Sequence, residues 1–201
     1  MDKYLSLRLT GCVKGEKIKI TFSVLNRMYV ALLTEEEFDK YKDNVNSVKR
    51  SLCSTNAIAT IQRDGVWYVV VDNNDIDLQN IKCDVYRYAP SFTNDDIWNN
   101  VVPQGMSCVL NATDTESDGS MIQYWKDHQH KNSKINLENK TFVCPSCGKT
   151  VNVRSLHGAH VIKQYDIKGA LYITPTCDSC NTSKTNRVFK VNDVDLIIAP
   201  N

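Results

Sequence analysis

Four of the eight cysteines in this 201-residue chain stand in two Cys-x-x-Cys pairs. Cys144-Pro-Ser-Cys147 is followed by Gly148, and Cys177-Asp-Ser-Cys180 by Asn181, with 29 residues between Cys147 and Cys177. Each pair can offer two thiolates to one tetrahedral ion, and two pairs complete the closed four-sulfur shell of a structural zinc site. In the first pair Pro145 presets a turn, and Gly148 lets the backbone amides fold toward the sulfurs, as in a zinc knuckle. The second pair is expected on the first turn of a helix, where unpaired N–H groups favour thiolate charge. A redox pair of the thioredoxin kind needs one such motif beside a βαβ unit and leaves the second without a role. Iron–sulfur ligation usually takes other spacings. Cys12, Cys53, Cys83 and Cys108 are isolated among apolar or strand-like residues and read as ordinary small residues.

Between the pairs run Leu156-His-Gly-Ala-His160-Val-Ile, a polar break over 163–169, and Ala170-Leu-Tyr-Ile-Thr174. Apolar strands around a polar break predict a hairpin, so knuckle, hairpin and ligand-bearing helix follow in treble-clef order. The stretch C-P-x-C-G … G-A-H-V … Y-I-T-P-x-C-x-x-C-N-x-x-K resembles the four-cysteine HNH-type endonucleases over about residues 141–190. The resemblance implies a general base at His160, the last motif position at Asn181 and the basic residue one turn later at Lys184. It also implies Cys144, Cys147, Cys177 and Cys180 as ligands of a structural Zn²⁺, and Mg²⁺ as the catalytic ion of an active site. The chain departs from the family at Ala159, where a metal-binding Asp or His is common, and has no middle Asn over 169–174. A metal-dependent phosphodiesterase needs a positioned divalent ion to stabilise charge on the phosphate. The departures therefore favour an HNH-like module without catalysis, with His157 and Asp166 the nearby residues able to substitute as ligands.

His157 and His160 lie three apart, which on a regular strand puts them on opposite faces. His160 reads either as a buried hydrogen-bonded residue or as a base or ligand. His157 reads as exposed or supporting the site from behind, and His128 and His130 as solvated. The 24 Lys+Arg and 23 Asp+Glu leave a net charge of +1, which excludes a wholly basic binder of the histone type and an acidic disordered tail. Residues 141–190 nevertheless hold seven basic and two acidic residues, a net +5, against −4 for the remainder. Zinc with four thiolates adds about −2, leaving about +3, enough for a few phosphate contacts. Lys184 and Arg187 are expected to share a helix face; with Lys163 they are the candidate nucleic-acid contacts, and Tyr172 could stack a base. The expected partner is DNA, RNA or a protein–nucleic-acid complex. An active Mg²⁺-dependent endonuclease and a protein-interaction or inhibitor module with purely structural zinc are the alternatives.

The elements that must hold these residues belong to an α+β fold, and the length suits one to two domains. An N-terminal mixed domain with antiparallel strands is expected over 1–103, a linker with a short helix over 104–140, and the treble-clef module over 141–201. Leu5, Leu7 and Leu9, then Ile18, Ile20, Phe22 and Val24, alternate with polar residues as half-buried strands do. Gly11 and Gly15 mark the connection between them, and residues 28–33 form a third apolar run. Thr34 and Glu37 fit a capping box ahead of a helix stripe of Phe38, Tyr41, Val45, Val48 and Leu52. Residues 57–62 and 66–71 flank Arg63-Asp64-Gly65 as a hairpin would. A strand is expected over 82–88 and a short helix from Thr93. The acidic run 111–120 reads as a loop, and a helical piece follows over 121–128. The first twenty residues lack the roughly 7–15-residue apolar core of a signal peptide, and no stretch reaches the roughly 18 apolar residues of a membrane span. A cytoplasmic protein with reduced thiols and no membrane contact is expected.

Overall fold

The computed structural model describes residues 4–23, 28–53, 56–73, 78, 81–112, 120–133, 135–136, 139–164, 170–183 and 186–200. They form a mixed α+β structure of mostly antiparallel strands with few, short helices. The chain divides into two compact units, Met1–Tyr86 and Arg87–Asn201.

The first unit contains β1 (Tyr4–Cys12), β2 (Lys17–Phe22), β3 (Met28–Thr34), α1 (Glu35–Asp43), β4 (Ser51–Cys53), β5 (Asn56–Thr60) and β6 (Gly65–Asp72). Four strands make an antiparallel sheet in the order β1-β6-β3-β4, while β2 pairs with β5. Alternation along β6 explains its unbroken apolar run. Val69 and Val71 join a core with Leu9, Ile18, Ile20, Met28 and Trp67, whereas Val70 packs with Ala31, Leu33 and Tyr41. Both faces of the strand are therefore covered. The α1 helix starts on the capping box of Thr34 and Glu37 and lays Tyr41 and Phe38 on the second of these clusters. There the buried Tyr41 hydroxyl donates to Asp72, whose two carboxylate oxygens also accept from Arg50 Nη1 at 2.9 Å. Burial, then the Asp72 carboxylate, holds the Tyr41 phenol well above its ordinary pKa.

Two expectations for this unit need correction. The helix ends at Asp43 instead of continuing to Leu52, because Asn44 turns extended and its side-chain oxygen accepts from Asn46 N. This is the local competition that Asn offers a helix. Leu52 lies on β4 and is half exposed. Residues 57–62 and 66–71 do not form a hairpin either: β5 pairs with β2, and β6 pairs with β1 and β3. Two well-formed strands beside a glycine turn do not reveal whether they pair together or with more distant partners. Val24 lies outside the described residues.

In the second unit the strands β8 (Met106–Asn111), β11 (Leu156–Lys163), β12 (Leu171–Cys177), β13 (Arg187–Asn192) and β14 (Ile197–Ile198) form a sheet in the order β14-β12-β11-β8-β13. The neighbours in this set pair antiparallel, and Arg187 and Val188 add parallel pairing with Arg87 and Tyr88 of β7 (Cys83–Tyr88). The helices are α2 (Asn94–Asn99), α3 (Ser120–His128) and α4 (Asp178–Thr182); β9 (Thr141–Val143) and β10 (Thr150–Asn152) form a separate ribbon. The expected boundaries at 103 and 140 do not coincide with this division. Segment 104–140 supplies β8, in the middle of the sheet, and α3, whose Trp125 is buried with Ile173 and Ala199 and donates to Asp195 O at 2.9 Å. Short elements after a proline and beside an acidic run read as a linker because their burial comes from strands far along the chain. Residues 113–119 of that run lie outside the described residues. Among the described residues no helix is long and apolar enough to cross a membrane.

Candidate metal centre

The Cys144 knuckle closes on two backbone bonds, Gly148 N to Cys144 O at 2.8 Å and Cys144 N to Lys149 O at 2.9 Å. Gly148 takes φ +73°, a left-handed conformation that glycine adopts without cost. The second pair sits where β12 becomes α4: Cys177 is the N-cap residue and Cys180 lies in the helix. The β11–β12 register, from Leu156 opposite Cys177 to Ile162 opposite Leu171, brings this junction onto the knuckle. All four thiols are buried, and their sulfurs lie within 4.8 Å of one another. Cys147 Sγ and Cys177 Sγ are 3.8 Å apart. Four sulfurs about 2.3 Å from a tetrahedral zinc would be about 3.8 Å apart, so the cluster is compatible with a zinc site. Cys177 N donates to Cys144 Sγ at 3.5 Å, and Ser179 Oγ lies 3.3 Å from Cys177 Sγ. The four thiols shift one another in opposite directions. The Cys147 thiol beside it pulls Cys144 down to about 7, and Cys144 and its neighbours drive Cys177 lower still. Cys147 and Cys180 are pushed up, first by Cys144.

The hairpin has two differently covered faces. A Cβ on Gly158 would stand 2.5 Å from the Met121 backbone, so α3 crosses the face that carries Leu156, Gly158 and His160. The short α4 lies on the other face. Asn111, level with Val161, donates from Nδ2 to Cys180 O at 2.6 Å, and His157 Nε2 stands 3.4 Å from Asp178 Oδ1. His160 and α4, with its Asn181, thus lie on opposite faces of β11. His160 is half-buried opposite Ile173. Ala159, paired with Thr174, is buried on the α4 face and brings no ligand atom there.

Arg187 differs most from its expected role. It begins β13, not a helix face, and is only 2% exposed. Its Nη1 donates to Ser146 Oγ at 3.4 Å and toward Cys180 Sγ at 4.0 Å. A guanidinium so placed faces the sulfurs rather than an external phosphate. Lys163 Nζ stands 3.7 Å from Asp193 Oδ1 and 5.1 Å over the Tyr172 ring, which occupies both side chains. Lys184 and Asp166 lie outside the described residues. Asn111, which caps the cysteine-bearing helix, and Ser146, buried between two cysteines, escaped sequence reasoning. Asn111 is 69 residues from Cys180 and belongs to no motif, whereas Ser146 is one of the two unspecified positions of the Cys-x-x-Cys pattern. Comparison with protein-family models, curated proteins and solved structures finds no match.

Proposed function

We propose that the protein binds one structural zinc ion through Cys144, Cys147, Cys177 and Cys180. On this reading the unit built around it is an HNH-like treble clef that contacts nucleic acid, alone or within a protein complex, without catalysis. The observation that carries the reading is the buried four-sulfur cluster with a 3.8 Å sulfur separation. Four thiolates leave the ion no open position, so its chemistry is to hold the knuckle and the β12–α4 junction together. The opposite placement of His160 and Asn181 about β11, with Ala159 between, speaks for a scaffold rather than a phosphodiesterase.

The nucleic-acid part rests on the β9–β10 ribbon. Thr141, Val143, Thr150 and Asn152 present its exposed face, flanked by the exposed cations Lys140, Lys149 and Arg154. No Asp or Glu occurs between residues 139 and 165. A two-stranded ribbon is one of the shapes that a DNA major groove admits, and cations on its rim would meet phosphates. Metal analysis should find one zinc per chain, with four thiols protected until the metal is removed. The zinc-loaded protein should shift labelled DNA or RNA at low salt, and the K140E/K149E/R154E variant should lose most of that binding. Zinc well below one per chain would refute the site. Absent binding would leave a protein-interaction module with structural zinc. Plasmid cleavage with Mg²⁺ that His160→Ala abolishes would replace the reading with the endonuclease one.

A further inference from the structure

Arg187 is a fully buried cation with no part in the contact surface described above, and its position needs a reason. An arginine stays protonated at any ordinary pH, and an ionised group in the interior is retained only beside compensating charge. Its guanidinium spans the two halves of the cysteine cluster. Its contacts include Ser146, itself 3% exposed and lying between Cys144 and Cys147, and Cys180, the last of the four thiols. The backbone that carries it is fixed on a strand. Arg187 pairs with Arg87, and from Phe189 onward β13 pairs with β8. We infer that Arg187 is the buried counter-charge and positioning residue of the metal centre. This inference rests on the zinc reading of that centre. Four thiolates around zinc carry about −2, and the guanidinium halves that charge within the protein. Its Nη1 group draws electron density from the Cys180 sulfur and, through Ser146, holds the knuckle in register with α4. Partners behind a ligand typically change metal affinity by about 10–100-fold when removed.

The test compares the wild-type chain with R187M, R187Q and R187K, each loaded with zinc and, separately, with cobalt(II). Three properties are read: zinc affinity by competition with a chromophoric chelator, zinc release by an aromatic disulfide, and the thiolate-to-cobalt charge-transfer band. Loss of the cation in R187M and R187Q is expected to weaken zinc binding at least about tenfold, speed its release, and move the band to lower energy as the thiolates become more electron-rich. R187K, which keeps the charge, should restore the band. A merely structural arginine would leave the band unmoved. Wild-type affinity, release and band position in R187Q would overturn the inference, and R187Q carries the test if R187M does not fold. A wild-type chain that takes up no zinc overturns the parent reading and this one with it.

Discussion

Cys180 illustrates what one side chain contributes to this centre. The neighbouring thiols push its pKa up, as they do that of Cys147, and pull those of Cys144 and Cys177 down. Metal ligation requires all four as thiolates, so binding must release the protons that the thiols still keep. The sign follows directly: protons compete with zinc, and affinity falls as pH drops. Zinc release to a chelating dye should therefore increase as pH falls from neutral toward about 5. Cys180→Ser should lose tight zinc binding, while Cys83→Ser, in the other unit, should retain wild-type uptake. Equal uptake by both variants would contradict the assignment. Residue type and spacing made the four-cysteine cluster legible, because two thiols three residues apart can reach one ion from almost any turn. They could not reveal Arg187 as a buried partner, since Lys and Arg near a ligand pair look alike whether they face solvent or sulfur.

At the level of elements, the contact that organises the second unit is α3 lying across β11. It depends on Gly158, where a Cβ would stand 2.5 Å from Met121 C and 2.7 Å from Ile122 N. These are backbone atoms that cannot swing aside as a side chain would. Gly158→Ala should therefore destabilise the protein by about 1–3 kcal/mol, the usual cost of overpacking, as measured by chemical denaturation of the zinc-loaded form. A change within a few tenths of a kcal/mol would mean that α3 does not seat there. Strands β1, β2 and β3, the capped start of α1, and the β11–β12 hairpin all follow from periods and caps within a few residues. The end of α1 and the partners of β5 and β6 did not. The first turned on one asparagine competing for backbone, the second on pairing choices among strands of similar apolar character.

The chain divides into two compact units, and the cysteine cluster belongs to the second. Zinc binding to folded sulfurs adds its free energy to the stability of the fold that holds them. Removing zinc with a chelator should raise amide exchange across β9–β12 and α4, while β1, β3 and β6 keep their protection. Hydrogen exchange followed by peptide mass analysis resolves the two sets. Equal loss in both units would show that the metal supports the entire chain.

Local rules reach as far as the covalent neighbourhood does. Knuckle turns, ligand pairs, helix caps and strand alternation need only a few consecutive residues, so the four-cysteine site and the α+β character were readable before any fold was known. The division at Tyr86, the place of β8 inside a sheet, the opposite faces of His160 and α4, and the burial of Arg187 arise from contacts between residues far apart in the chain. Many strands of comparable apolar pattern could satisfy those pairings. Only the simultaneous packing of all of them selects one arrangement, and with it which charges face the cysteine cluster and which face solvent.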